Sequence, residues 1–252
     1  DELLSSYSNN DHDFKTNLIN YLSSQANLNV VEDINKDINR TLIQFPQIQN
    51  ESIKKSLRNV LAAYSVIDKE LGYTQGMAFL AGILLFYMDE CSAFNSFCIL
   101  MLSQRFRLRE YFIQGFPKVI QMNNIWQIAL KEYFPEIYRK LNSHKVDPII
   151  YTLGWWMTAF TCFQFNTDIL LLIFDRYLLF GSSSLISFGL TIIGIYYDYL
   201  ISSSIDDVIS LLQNPCNYSK INDIKYVKNL WNKKYFISKK MFKKIMKKVK
   251  IC

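Results

Sequence analysis

The sequence predicts an all-α protein of about a dozen or more helices. Apolar residues recur along much of the chain at the i, i+3, i+4 and i+7 spacing of a single helical face. The 252 residues include only 8 Gly and 5 Pro, which argues against a turn-rich β protein. Half of the residues are hydrophobic, and 18 Phe and 16 Tyr supply large side chains to bury. These observations indicate a globular helical domain with an ample core.

The first half of the chain divides into helices separated by short connectors. We place helices at about residues 13–24, 31–42, 52–68 and 77–88, with a connector around Pro46 after the second. Gly72 and Gly76 bracket a tight turn before the fourth helix. Ser92 is the expected N-cap of the next helix.

Two prolines mark helix starts in the second half. Pro117 and Pro135 each fit the first turn of a helix, where a missing N–H costs nothing. Three apolar runs after residue 146 predict buried helices, because each is longer than a typical strand and lacks strict alternation. Ser204 then caps an amphipathic helix with Asp206 and Asp207 in its first turn, where the helix dipole favours acidic groups.

The distribution of charge does not support a general basic surface for nucleic acid. The net charge is +6, but residues 233–252 contain nine lysines and no acid, so the rest of the chain is net acidic. A basic excess confined to one segment does not form a general nucleic-acid footprint. The longest apolar stretch is broken by Asp175 and Arg176 and by a Gly-Ser turn, so we expect buried helices and no membrane span. We expect the arginines at 105, 107 and 109 to form a solvated face.

Cysteine and histidine usage argues against metal and histidine-based sites. The five cysteines form no CxxC pair, and the opening residues are polar and acidic, unlike a signal peptide. We therefore expect a reducing, cytoplasmic setting. With only two histidines, zinc sites and histidine-based triads are disfavoured, and we expect no bound metal or cofactor.

The stretch "INKDINRTL", residues 34–42, places an arginine on a predicted helix. Ile34, Ile38 and Leu42 share one apolar face, and Arg40 points roughly the opposite way with Asp37 one turn before it. One interpretation is a surface ion pair worth at most several tenths of a kcal/mol. The other is an arginine aimed at a ligand. This helix alone favours the first interpretation.

The stretch "GYTQGM", residues 72–77, places a glutamine in the turn before an apolar helix. A glycine turn that feeds a helix start leaves backbone N–H groups unpaired, which suits an anionic ligand. Gln75 would then lie near a phosphate and could orient a water molecule. Taken alone the signal is modest, because glutamine is common in turns.

Together, Arg40 and Gln75 suggest hydrolysis of a nucleotide γ-phosphate. That reaction needs positive charge on the equatorial oxygens and a group that positions the attacking water. A guanidinium meets the first need and a neutral amide meets the second. The chain has no GxxxxGK[ST] loop, so the nucleotide would belong to a partner and both groups would act in trans.

These motifs resemble those of the TBC-domain Rab GTPase-activating proteins. "INKDINRT" matches the family's IxxDxxR motif and "GYTQGM" its YxQG motif. The stretch between them, and "WWMTAF" and "IFDRYLLFG" further on, also resemble the family, so the likeness spans about residues 15–200. The family usually carries Trp where this chain has Phe174, a difference that bears on core packing.

The resemblance implies a two-lobed all-α TBC fold and a GTPase activator for a Rab-type small GTPase, acting in membrane trafficking. Arg40 stands at the arginine finger and Gln75 at the glutamine finger, while GTP and Mg²⁺ are carried by the partner. The supporting positions, for holding Arg40 and shaping the Gln75 loop, are Asp37, Thr41, Tyr73 and Gly76. The alternative is a non-catalytic scaffold of the same fold that binds GTPases or other proteins.

The resemblance also sets the expected domain limits. Residues 1–232 form the TBC domain, and residues 233–252 form a basic amphipathic C-terminal helix. The first tryptophan is Trp126, whereas the family carries Trp near its start, which leaves open whether the N-terminal segment is complete. The usual aromatic residue after Arg40-Thr41 is also replaced, by Leu42.

The C-terminal helix has two interpretations. On a helical wheel its apolar residues fall within one arc and the lysines from Lys239 to Lys250 fill the rest. Such a helix can lie on an anionic membrane surface as a peripheral contact, each lysine adding up to ~1 kcal/mol. It can also pack on the domain with its lysines solvated, which we favour.

Overall fold

The predicted all-α fold is confirmed by a computed structural model, which describes residues 15–249. Within that range it contains fourteen α-helices and no strand. None of those helices combines the length and hydropathy needed to cross a bilayer. The chain divides into two compact units, the first ending at Phe112 and the second beginning at Ile113.

The first unit holds five α-helices and a short 3₁₀ helix. The α-helices are α1 (15–24), α2 (Leu28–Ile38), α3 (Glu51–Ile67), α4 (Met77–Tyr87) and α5 (Glu90–Leu102), and the 3₁₀ helix is Leu108–Tyr111. Helix α3 packs against α2, α4 and α5. Its predicted apolar face (Leu57, Val60, Leu61 and Tyr64) is buried.

Helix α4 is the central helix of the first unit. It is apolar on all sides, and most of its residues from Met77 to Leu85 are buried between α2, α3 and α5. A helix without a polar face is stable only inside a core. Its position therefore fixes where the preceding turn, with Gln75, comes to the surface.

The second unit holds the remaining nine α-helices. They are α6 (Pro117–Tyr133), α7 (Pro135–Ser143), α8 (Ile149–Met157), α9 (Thr167–Phe180), α10 (Ser182–Ile195), α11 (Tyr197–Ser202), α12 (Ile205–Gln213), α13 (Ile224–Lys233) and α14 (Lys239–Val249), with 3₁₀ turns at Pro215–Asn217 and Ser219–Asn222. Pro117 and Pro135 open α6 and α7, and Ser204 caps α12, as predicted.

Helix α10 is the core of the second unit and packs against α6, α8, α9, α11 and α13. Around it lies a group of aromatic rings in edge-to-face or tilted contact, such as Trp126 with Trp155 at 5.4 Å and Phe160 with Phe188 at 4.9 Å between centroids. Three indole N–H groups in this group are satisfied. Trp126 donates to the Tyr151 hydroxyl at 2.9 Å, Trp155 to the Leu212 carbonyl at 3.0 Å and Trp156 to Asn123 Oδ1 at 2.8 Å.

Several helix boundaries differ from the prediction, among them the start of α5 and the end of α10. The N-cap of α5 is Asp89 and not Ser92, because the Asp89 carboxylate accepts hydrogen bonds from both the N–H and the hydroxyl of Ser92. The apolar run from Ser183 to Ile201 forms two helices, α10 and α11, because the chain leaves helical geometry at Tyr196. The apolar residues continue through Tyr196 without interruption, so the sequence pattern does not predict this break in the helix.

We expect Gly189→Ala to destabilise the protein. A Cβ atom at position 189 would lie 2.9 Å from ring carbons of both Trp126 and Trp155, and neither fully buried indole can move without breaking its hydrogen bond. Overpacking costs about 1–3 kcal/mol, and helix propensity returns up to ~1 kcal/mol. Denaturant unfolding should therefore show a net loss of up to about 2 kcal/mol. A raised midpoint, which propensity alone predicts, would contradict this packing.

Candidate functional site

Arg40 lies in a turn just beyond α2 and not on the helix itself. The helix was predicted to reach residue 42, but it ends at Ile38. The next two N–H groups then make i→i−3 bonds, from Arg40 to the Asp37 carbonyl and from Thr41 to the Ile38 carbonyl, each at 3.1 Å. Leu42 adopts a left-handed conformation (φ 48°), which a helix cannot continue through. Leu42 is nevertheless buried, so the apolar repeat correctly predicted its burial but not its backbone.

The Asp37 carboxylate is the polar centre of this turn. Its side chain is 9% exposed, whereas that of Arg40 is 55% exposed, so the two do not form an ordinary surface pair. One carboxylate oxygen, Oδ1, accepts from Arg40 Nε at 3.1 Å and Nη2 at 2.5 Å. The other, Oδ2, accepts from the Tyr73 hydroxyl at 2.6 Å. Asp37 thus connects the arginine turn to the segment that carries Gln75.

Tyr73 remains a hydrogen-bond donor at this site. Burial, followed by the hydrogen bond to the Asp37 carboxylate, raises the pKa of the Tyr73 hydroxyl. The phenol therefore stays protonated at neutral pH, and its proton stays directed at Asp37. This contact fixes the second oxygen of the carboxylate, so that the first faces Arg40.

Three further residues hold the arginine turn. The fully buried Thr41 hydroxyl donates to the Asp37 carbonyl at 2.7 Å. The Gln49 amide donates to the Thr41 and Leu42 carbonyls at 3.1 and 3.3 Å. Gly82 of α4 lets the turn approach closely, since a Cβ there would lie 2.9 Å from Leu42 Cδ1 and 3.3 Å from Thr41 Cγ2. The turn is thereby fixed against the buried helix α4.

Gln75 lies in the tight turn immediately before α4. Gly76 is the N-cap of α4 with φ 106°, a conformation that residues with a Cβ rarely adopt. Gln75 is exposed, and no hydrogen bond holds its amide within residues 15–249. The backbone places this side chain at the surface and leaves its amide available.

Arg40 and Gln75 line the same open groove. Its walls are Asp33, Lys36, Asp37, Arg40, Tyr73 and Gln75. The groove therefore presents a guanidinium and a neutral amide to the solvent, beside a buried carboxylate and a half-buried phenol. All six residues that sequence analysis assigned to the site lie here or directly behind it, with Thr41 and Gly76 in supporting positions.

Residues 3–201 match the family model of the Rab-GTPase-TBC domain. The chain belongs to this family. Among its relatives, TBC1 domain family member 1 of Bos taurus is 33% identical over 179 residues, which cover 70% of this chain and 15% of that protein. GTPase-activating protein GYP5 of Saccharomyces cerevisiae is 29% identical over 182 residues, 72% of this chain and 20% of that protein.

Two solved structures share the TBC fold. The Ypt/Rab-GAP domain of Gyp1p superposes with a TM-score of 0.68 at 18% identity, over 89% of this chain and 80% of that one. The Chlamydomonas flagellar RabGAP TBC domain has a TM-score of 0.72 at 14% identity, over 90% of this chain and 74% of that one. This chain spans about a fifth or less of the length of the two relatives above.

Gln49 and Gly82 are supporting residues of this TBC domain that sequence analysis missed. Gln49 lies in the connector after Pro46, and no periodicity or motif distinguishes it from a solvated glutamine. Gly82 did leave a signal, because an isolated glycine within an apolar helix costs ~1 kcal/mol and usually has a packing reason. The arginines at 105, 107 and 109 were predicted to be solvated, but Arg109 pairs with Asp68 and Glu70.

We expect Tyr73→Phe to lower the free energy of unfolding of this TBC domain by about 1–3 kcal/mol. The substitution removes the donor to Asp37 Oδ2 and leaves a largely buried carboxylate oxygen unpaired. Denaturant unfolding measures the effect, with Tyr21→Phe as the control because Tyr21 is 64% exposed. Equal midpoints for the two variants would show that the contact contributes nothing to stability.

Proposed function

We propose that this chain accelerates GTP hydrolysis by a Rab-type small GTPase, with Arg40 as arginine finger and Gln75 as glutamine finger. The observation that carries the proposal is the groove in which both side chains are exposed while their supports, Asp37 and Thr41, are buried. The family match and the structural similarity to the Ypt/Rab-GAP domain of Gyp1p support the same activity.

Arg40 would act on the charge that develops at the γ-phosphate. Its guanidinium is always protonated and donates in a planar fork, which suits phosphate oxygens. Asp37 accepts from Nε and Nη2 and so directs the group, while the side chain remains over half exposed to a partner. A positioned cation of this kind stabilises the transition state without reorganising during the reaction.

Gln75 would position the attacking water. A neutral amide can accept from water and donate to phosphate at the same time. The partner GTPase carries GTP and Mg²⁺, and this chain contributes only its side chains in trans. We place the reaction in the cytoplasm, as the cysteine usage suggests, and in membrane trafficking, as the resemblance to Rab GTPase-activating proteins implies.

Single-turnover GTP hydrolysis across a panel of Rab proteins tests this proposal. We expect the wild-type chain to accelerate GTP hydrolysis by at least one Rab protein. Arg40→Ala should lower the accelerated rate by a factor of about 10³–10⁵, which is the contribution of arginine fingers in other GTPase-activating proteins. Gln75→Ala should also abolish most of the acceleration. Arg139→Ala is the matched control, because Arg139 is an exposed arginine outside the groove.

The alternative of a non-catalytic scaffold predicts a different pattern. Rab proteins would bind to the chain, but none would hydrolyse its bound GTP faster. Arg40→Ala would then give the same rates as Arg139→Ala. That result would contradict the activator proposal while leaving a GTPase-binding surface in place.

We also propose that α14 makes a peripheral contact with anionic membranes. Ile245 is 1% exposed and packs the helix against α6, while the lysines at 240, 243, 244 and 247 are exposed. Lys248 is paired with Glu132. Residues 224–249 contain no acid, and Glu132 of α6, which lies beside these lysines, is paired with Lys248, so the four lysines add a local excess of positive charge. Each lysine near an anionic surface contributes ~1 kcal/mol.

Vesicle co-sedimentation tests the membrane contact. Truncation before Lys233 would uncover α6, so we instead replace the four lysines at 240, 243, 244 and 247 by Gln. We expect binding to phosphatidylserine-containing vesicles to fall by up to ~10³-fold. The control replaces Lys55, Lys145, Lys220 and Lys228 by Gln, which lowers the net charge equally. Equal losses in the two variants, or none, would contradict a specific role for α14.

A further inference from the structure

The segment that carries Gln75 is anchored at a point outside the groove. It runs from Asp68, immediately after α3, to Gly76 at the start of α4. Its second half is fixed by the Tyr73–Asp37 hydrogen bond and by the Gly76 N-cap. Its first half begins at Asp68, which does not line the groove and whose carboxylate is 8% exposed.

The Asp68 carboxylate accepts four hydrogen bonds. Its donors are the Tyr64 hydroxyl at 2.9 Å, the Leu71 N–H at 3.3 Å and Arg109 through Nε at 2.6 Å and Nη2 at 3.1 Å. The Asp68 carbonyl also accepts from the Gly72 N–H at 2.7 Å. Asp68 therefore closes the turn that leads into Tyr73 and Gln75.

Arg109 holds this turn at two positions. It lies in the 3₁₀ helix Leu108–Tyr111 and contacts Asp68 in a fork, while Nη2 also donates to Glu70 Oε2 at 2.7 Å. Bidentate arginine–carboxylate pairs fix orientation as well as distance. Burial acts to raise the pKa of Asp68, but the hydrogen bonds from Arg109 and Tyr64 outweigh it and lower the pKa, so the carboxylate stays ionised.

We propose that Arg109 and Asp68 are positioning residues for Gln75, acting through the segment 68–76. The inference rests on the proposed function, because it assigns these residues a role in the glutamine-dependent part of GTP hydrolysis. The Gln75 side chain has no hydrogen bond of its own within residues 15–249, so its placement depends on its backbone. That backbone is held by Tyr73 and Gly76 on one side and by Asp68 on the other.

A double-mutant cycle tests the inference. Arg109→Met keeps much of the length of the side chain and removes the fork, and misplacement by about 1 Å can cost ~10² in rate. We expect Arg109→Met to lower the single-turnover rate at saturating GTPase by ~10–10². In the Gln75→Ala background it should have little further effect, because residues that act through one group are not additive.

Arg107→Met is the matched control. Arg107 lies two residues away and pairs with Glu110, whereas Arg109 pairs with Asp68. We expect the Arg107 substitution to leave the rate unchanged in both backgrounds.

Amide hydrogen exchange is a second measurement, and it does not depend on activity. Arg109→Met should increase exchange of the amides of residues 69–75, while Arg107→Met should not. If Arg109→Met fails to fold, Arg109→Lys enters the same cycle, because it keeps the charge but loses the fork.

The outcomes separate the two levels of the proposal. Suppose that Arg109→Met lowers the rate equally in the wild-type and Gln75→Ala backgrounds, or leaves exchange at residues 69–75 unchanged. Either result would overturn the positioning role and leave the activator proposal intact. A wild-type chain that accelerates no Rab would overturn both, and increased exchange would then assign Arg109 to stability alone.

Discussion

The buried carboxylate of Asp37 is the interaction on which the candidate site depends. A charged group with little exposure must be paired and hydrogen-bonded, or burial becomes prohibitive. Asp37 meets this requirement with Arg40 on one oxygen and Tyr73 on the other, two residues far apart in the chain. Because the loss of either donor would leave one oxygen of a largely buried carboxylate unpaired, the carboxylate determines both where the guanidinium lies and where the Gln75 segment begins its final turn.

Helix α4 supplies the second constraint. Most of this helix is buried, so the position of its first residue determines where Gln75 reaches the surface. Gly82 within the helix has no Cβ, which allows the Thr41–Leu42 turn to pack closely against it. The arginine turn and the glutamine turn are therefore both built on one rigid element. Sites on rigid elements hold their geometry better than sites on loops alone, which explains how two exposed side chains can share one groove without contacting each other directly.

The sequence predicted most of the helices correctly, and it supplied the proposal for the site residues, for different reasons. Helices such as α3 follow from the spacing of Leu57, Val60 and Tyr64, a local property that periodicity measures. Arg40 and Gln75 followed from motif resemblance. The end of α2 could not be predicted, because it depends on the left-handed Leu42, and the burial of Asp37 could not, because i, i+3 spacing fits a surface pair equally well. Gln49 contacts Thr41, and Arg109 contacts Asp68, which is 41 residues away in the chain. Neither contact follows from a motif or a periodic pattern in a single sequence.

The distribution of exposure at the site bears on its purpose. Asp37, Thr41 and Gly82 are buried and contribute to the fold whether or not the chain activates a GTPase. Their presence therefore does not distinguish an activator from a scaffold. Gln75 is exposed without a hydrogen bond among the described residues, and exposed side chains of this kind contribute within about ±0.5 kcal/mol to stability. Arg40 does pair with Asp37, but its side chain is over half exposed, so the guanidinium remains accessible to a partner. A glutamine that the fold does not need, in the same groove as an accessible arginine, argues for a use on a molecule other than this chain.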